Sequence, residues 1–385
     1  TSKGPILRDF FEVELNHEPG QDTRLEKLEA LKKISIQYGG GSHKIVVGLG
    51  SEFSATRVLN FPFTERAKIA QSLPFELEDV IPFSQEGAIF DFRLVETHEK
   101  TSKVFAVAVP KKYIQESLHL CEDGSLDPDI LGLEGVALAN LLSIHQGESF
   151  APTPPGVEDT AELIIHIGFS KTLLVVVSRG RVLATRALFY GGKDLTYAVM
   201  KAYQYPFLEA LKGVAEKSFV LTSPEGASEE QVHFSRVMSD SLNQLATELK
   251  RTIVDLKSEH HLNFTAGHLM GGMGRMINLG PYLTALLEMP VAVFEHLGHL
   301  TRVDTPTSPS LDKASSIAIG LALEGLRKSK TPAINLRKQE FAKQSQVLKV
   351  FLERYATVAK MAAAIFVLFI VYTVVRSNMS ESLSG

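Results

Sequence analysis

The chain has 385 residues, 44% of them hydrophobic and 22% charged, with a formal net charge of −4, which excludes a disordered or collagen-like polymer. That length exceeds what one core usually organises, so two lobes or more are expected. The single cysteine, Cys121, excludes an intramolecular disulfide framework and a Cys-based zinc cage, and the acidic balance argues against a nucleic-acid partner.

In chain order, Leu25, Leu28, Leu31 and Ile34 recur at three-residue spacing and predict an amphipathic helix over Thr23–Ser35. Lys44–Leu49 and Ser54–Phe61 read as short strands. Thr64-Glu65-Arg66 offers an N-cap and a first-turn acid for a helix reaching about Asp79, with Pro74 expected to kink or interrupt it. Strands are predicted at Ala88–Val95 and Val104–Val109, then a helix near Lys111–Cys121. A short strand and the helix Gly135–Leu142 follow the loop Glu122–Pro128. Gly147–Thr160, rich in proline and polar residues, marks a boundary between lobes.

The second lobe opens with strands at Glu162–Ile167, Thr172–Val177 and Val182–Leu188, and Gly191-Gly192 start a helix. Gln231–Leu256 carries its apolar residues on one helical face. The strand Ala266–Met270 runs into Gly271-Gly272-Met273-Gly274 and a further helix, and Ala314–Arg327 is the closing helix. Hairpins and helices repeated in two halves predict an α/β fold of two related lobes.

Residues 327–360 then carry nine Lys/Arg against two Asp/Glu, whereas 1–326 carry 30 against 41. Beyond them Met361–Val375, MAAAIFVLFIVYTVV, holds no charge, and with Tyr355–Lys360 it makes a helix of about twenty residues, enough to span a bilayer with Lys360 snorkelling to the headgroups. Lys343, Lys349, Arg354 and Lys360 precede the span and only Arg376 follows it. The positive-inside rule therefore puts residues 1–354 in the cytoplasm and the C-terminus across the membrane. Anionic lipid is the expected neighbour of the basic stretch. The chain starts at Thr1 and stops nine residues after Arg376, so it reads as a piece of a longer protein.

Motifs for chemistry are sparse. There is no GxxxxGK[ST] loop and no GxSxG elbow, and Gly48-Leu49-Gly50 lacks the third glycine of a dinucleotide fingerprint. His296/His299 and His260/His261 have no ligand-spaced company and read as solvated surface pairs, so no metal is assigned. Glu76 and Asp79 read as a solvated helix face. Gly271-Gly272-Met273-Gly274 lies where backbone amides could approach a nucleotide, or where a strand–helix turn needs small residues.

Phe61–Phe92 (FPFTERAKIAQSLPFELEDVIPFSQEGAIFDF), Leu131–Ser143, Glu162–Leu188 with Tyr190–Thr196, and His268–Met276 together resemble the type IV pilus assembly protein M family. The juxtamembrane run Ile334-Asn335-Leu336-Arg337-Lys338-Gln339-Glu340-Phe341-Ala342 resembles the stretch before the membrane helix of the type II secretion protein L family, and the INLLP motif in the cytoplasmic tail of the pilus protein N family. The resemblance implies an actin-like α/β fold over 1–330, with an inserted subdomain at 62–134 and a second lobe at 161–328. A basic segment at 331–354, a span at 355–376 and the start of a periplasmic part at 377–385 would follow.

The actin-like fold grips Mg-ATP with two Asp-x-Gly phosphate loops. The first would lie upstream of residue 1. The second aligns with His166-Ile167-Gly168, where histidine replaces the carboxylate that Mg²⁺ prefers. Gly168, Gly271, Gly272 and Gly274 are thus expected to form at most a weak, vestigial nucleotide site, with no catalytic residue. The resemblance implies a non-enzymatic inner-membrane assembly platform of a type II secretion machine. Its partners would be the motor ATPase, a protein M-like platform subunit and a second copy of itself, as a homodimer or higher ring. A fused pilus component and an actin-like ATPase are the rival readings. Ile334, Asn335, Leu336 and Phe341 are expected to dock in a groove beside the inserted subdomain, in cis or on a neighbouring subunit.

Overall fold

The computed structural model describes residues 4–15, 22–39, 43–151, 159–302, 311–329 and 331–343. The predicted membrane span lies outside the described residues, among which no helix is long and apolar enough to cross a membrane. Thr1–Arg337 form one compact unit and Lys338–Gly385 a second.

The first unit opens with β1 (Ile6–Leu7), α1 (Thr23–Tyr38) and β2 (Val46–Leu49). Next come β3 (Ala55–Phe61), α2 (Arg66–Leu77), β4 (Ala88–His98) and β5 (Thr101–Pro110). The three strands form an antiparallel sheet in the order β3-β5-β4. Ile69, Leu73 and Leu77 recur at four-residue spacing, so α2 lays one stripe against Phe61, Phe92, Val104 and Ala106 of that sheet. Of the kink or break expected at Pro74, the break does not occur: α2 continues through it to Leu77. The sheet also takes β3, from upstream of residue 62.

After α3 (Lys111–Asp123), β6 (Ile130–Leu133) leaves that sheet and pairs in parallel with β2. It leads directly into α4 (Glu134–Gln146). Every residue of α4 from Gly135 to Leu142 is buried, as a helix apolar on all sides requires.

A five-stranded sheet follows, ordered β11-β10-β7-β8-β9, from β7 (Thr160–Ile167), β8 (Thr172–Ser178), β9 (Arg181–Leu188), β10 (Asn263–Met270) and β11 (Val291–Val293). β7, β8 and β9 form the antiparallel meander that the sequence implies, and β10 joins β7 in parallel. Between β9 and β10 run α5 (Gly192–Tyr203), α6 (Phe207–Lys217) and α7 (Glu229–His260). Ser228 and Gln231 close a capping box at the start of α7. The sequence reading has no counterpart for α6, which starts directly after Pro206. The remaining elements are α8 (Leu279–Leu287), β12 (Thr301–Arg302), α9 (Leu311–Ala314) and α10 (Ser316–Gly325).

α10 follows the second-lobe sheet in sequence but packs on α4 and β2, which belong to the first half of the chain. The approach is close: a Cβ on Gly320 would lie 2.1 Å from the Ala137 carbonyl oxygen. Gly320→Ala should therefore cost about 1–3 kcal/mol of stability, as overpacking does. Gly213→Ala, where an added methyl meets nothing within 4 Å in the middle of α6, should instead stabilise by roughly 0.5–1 kcal/mol. Urea unfolding of the two variants side by side measures both, and equal midpoints would contradict this packing.

Candidate docking site

β6 carries β2 on one edge, and its other edge is taken by Asn335 and Leu336. The Leu336 amide donates to the Leu131 carbonyl at 2.8 Å. The Leu131 amide donates to Asn335 Oδ1 at 3.0 Å, so a side-chain amide stands where a backbone carbonyl would sit in a strand ladder. Asn335 Oδ1 also accepts the Arg337 amide at 3.0 Å, and its Nδ2 donates to the Asp129 carbonyl at 3.2 Å. Both ends of the side chain are thereby paired with backbone, which aspartate or leucine could not do. Ile334 and Leu336, two residues apart, are both completely buried. Arg337 reaches Asp127 at 2.5 Å and donates to the Pro128 carbonyl. Phe341 belongs to the second unit, where it ends the short 3₁₀ turn Gln339–Phe341.

Two buried carboxylates receive the backbone of this segment. Asp91 Oδ2 on β4 accepts the Asn335 amide at 2.8 Å, and Glu324 Oε1 on α10 accepts the Ile334 amide at 2.7 Å. Glu324 is only 2% exposed and is answered from three elements. Arg93 of β4 pairs with it, Asn140 Nδ2 of α4 donates to it at 2.8 Å, and Arg327 Nε lies 3.3 Å away. Burial alone would raise this carboxyl, but the Arg93 and Arg327 guanidiniums outweigh it and hold it below the usual carboxylate range. Arg327 also pairs with Glu148 and donates to Asn140 Oδ1. The sequence reading missed Asp91, Arg93, Asn140 and Glu324. The signal available was a charged pair at i, i+2 inside the otherwise apolar AIFDFRLV strand.

The glycine cluster lies elsewhere, around the turn between β7 and β8. Gly168 approaches Gly191 and Gly192 so closely that a Cβ on Gly191 would meet the Gly168 and Phe169 carbonyl oxygens at 2.7 and 2.6 Å. The Gly192 and Lys193 amides, at the start of α5, donate to those same two carbonyls at 2.9 and 2.8 Å. Gly271 has φ +84°, and a Cβ there would meet the Ile167 carbonyl oxygen at 2.5 Å. A Cβ on Gly272 meets nothing within 4 Å, and one on Gly274 makes only ordinary contacts. The structure thus brings Gly271 against the carbonyl of Ile167, the residue before Gly168. It uses the nearby helix-start amides on the chain's own carbonyls.

Lys171 Nζ, in the same turn, bridges Glu52 at 2.5 Å and Glu134 at 2.6 Å. Burial alone would lower this ammonium, but the two carboxylates raise it. Among the described residues no group of three or more His, Cys, Asp or Glu could hold a metal ion. Two histidines read as solvated are not: His296 is 4% exposed with its Nε2 3.0 Å from Ser315 Oγ, and the His260 ring is largely covered. Both are covered by packing from elsewhere in the chain, which a spacing argument for ligands does not register.

Three outcomes follow from this geometry. Leu336→Ala should cost about 2–5 kcal/mol, and Asn335→Ala about 1–3 kcal/mol by stranding the Leu131 and Arg337 amides. In both variants hydrogen exchange at 334–337 should accelerate, and unchanged protection would contradict the seating. His166 contributes a pH dependence. Burial, with the Lys171 and His296 charges adding, lowers its imidazole from 6.5 to about 4. The folded state thus resists a proton that the unfolded chain accepts, so stability present above pH 6.5 is lost as pH falls toward 4, by on the order of 3 kcal/mol. His166→Gln should flatten that part of a stability–pH curve, and a curve parallel to the parent's would contradict the assignment.

Comparison with known proteins agrees with this architecture. The family described as type IV pilus assembly protein PilM matches residues 14–326. A solved structure of the PilM-PilN type IV pilus biogenesis complex superposes with a TM-score of 0.64 at 19% identity, covering 78% of this chain and 85% of that one. The cytoplasmic domain of EpsL, an inner-membrane component of the type II secretion system of Vibrio cholerae, gives a TM-score of 0.36 at 14% identity over 82% and 84%. MreB 5 of Spiroplasma citri bound to AMPPNP gives 0.39 at 11% over 56% and 64%. No sequence among the curated proteins compared matches this chain. At 19% identity the superposition on the PilM-PilN complex speaks for fold alone, and it is the match over residues 14–326 that places this chain in the type IV pilus assembly protein PilM family.

Proposed function

We propose that this chain is a non-enzymatic assembly-platform subunit of a type II secretion or type IV pilus machine. In this reading it is anchored in a bacterial inner membrane by the span at 355–376, with its PilM-like domain in the cytoplasm. That domain recruits the motor ATPase and links it to the other inner-membrane subunits. The observation that carries the reading is the seating of Ile334–Arg337 on β6, Asp91 and Glu324. In this reading it is a recognition site made of apolar burial and backbone hydrogen bonds.

One similar solved structure is a complex of PilM with PilN. Here the segment that resembles the protein N tail is part of the same chain, which favours a fused subunit of the secretion protein L kind. A fused pilus component is the second reading, favoured by the family match. Catalytic silence is supported by His166 in place of a carboxylate and by the internal use of the Gly192 and Lys193 amides. An actin-like architecture without a nucleotide cycle is the resulting picture.

The test is a pull-down from membranes in which the chain and the motor ATPase of its machine are co-expressed, alongside a Mg-ATP turnover assay of the purified chain. The motor should be retained, and turnover should stay at background. Loss of the motor would overturn the recruiting role. Steady turnover abolished by His166→Ala would make the chain an ATPase.

A further inference from the structure

Two exposed apolar surfaces of the first unit carry opposite charge. One is a groove of about 660 Å³ formed by α4, α10 and β1. Ile6, Ile144, Leu323 and Leu326 line it, and Leu326 is 67% exposed. Of its charged lining, Glu148 is paired with Arg327, which Glu324 also answers. Among the described residues, the side chains of the other two, Arg8 and Lys328, have neither a carboxylate nor a hydrogen-bond partner. The groove therefore carries uncompensated positive charge on a body whose residues 1–326 hold 41 acidic against 30 basic side chains.

The other surface is the C-terminal tip of α2. Ile69, Leu73 and Leu77 are its buried stripe. Phe75, two residues from both Leu73 and Leu77, stands on the opposite side of the helix and is 71% exposed. Val80, in the turn that follows, is exposed as well. Between them in sequence lie Glu76, Glu78 and Asp79, all exposed and, among the described residues, without a cationic partner. A single exposed apolar side chain needs no explanation. Here two lie together under unpaired charge of one sign, and a groove with unpaired charge of the other sign occurs on the same chain.

We infer that the α2 tip of one copy of this chain seats in the α4–α10 groove of the next. Phe75 and Val80 meet the apolar lining beside Leu326, and Glu76, Glu78 and Asp79 come opposite Arg8 and Lys328. The charge on each surface is uncompensated in one copy and answered in the pair, which fixes the orientation of the contact. An apolar centre inside a charged rim is also the composition of specific interfaces. Because the two surfaces differ, the contact is head-to-tail and repeats: it gives a ring if the rotation closes and a filament if it does not. The contact does not depend on the assembly-platform reading.

The test is sedimentation velocity of the whole chain in nonionic detergent micelles, at low salt and rising protein concentration. The parent should associate beyond a single copy. Two variants each reverse one surface: Arg8→Glu with Lys328→Glu in the groove, and Glu78→Lys with Asp79→Lys on the tip. Each alone should weaken association at least tenfold. Mixed in equal amounts they should associate again, because the first keeps its tip and the second keeps its groove. Phe75→Ser should also weaken association at least tenfold. Its melting temperature should not fall, since the ring is mostly exposed in the single copy, and this separates lost contact from lost folding. A parent that stays single, reversed variants that associate as the parent does, or a mixture that stays apart would each overturn the proposal.

Discussion

A carboxylate with 2% exposure stays ionised only if its oxygens are fully answered, and Glu324 meets that condition by gathering the chain around itself. Arg93 comes from β4 of the three-stranded sheet, Asn140 from the buried helix α4, and Arg327 from just beyond α10. The last partner is the Ile334 amide. Removing any one of the cations would leave a buried charge without compensation, which is why the arrangement ties distant stretches of sequence to one geometry. The docked segment depends on it, because the carboxylate that holds Ile334 is positioned by the two guanidiniums.

The same network explains why α10 is found on α4 rather than with the sheet that precedes it in sequence. Gly320 lets the two helices approach until backbone meets backbone, and Asn140 Nδ2 donates to the Gly320 carbonyl at 3.0 Å across that contact. Next to it, β2 and β6 form a two-stranded parallel sheet whose open edge would be a liability. Asn335 and Leu336 cover part of that edge. One strand edge, two aliphatic side chains and two carboxylates thus hold the segment in place.

At the β7–β8 turn the same residue types lead to a different result. Glycines there permit close approach of backbone segments, and the amides that could cradle a phosphate donate to Gly168 and Phe169 instead. Lys171 is committed to Glu52 and Glu134. An ammonium between two carboxylates holds the turn against the start of α4 with no ligand required.

What the sequence by itself determined is the local and periodic part. The short apolar runs of β7, β8 and β9 and the apolar stripe of α7 were legible because strand and helix patterns are properties of neighbouring residues. The apolar Ile334 and Leu336 within a basic run, and the histidine at 166, could also be read without coordinates. Tertiary structure alone decided the rest. That Asp91, Glu324 and the β6 edge receive the segment rests on groups from 91, 131, 324 and 334 meeting in space. The burial of His296 and the helix that continues through Pro74 were settled by packing against elements remote in sequence. A spacing rule sees which residues share a face; it does not see what that face will meet, and the free energy of a buried charge depends entirely on what it meets.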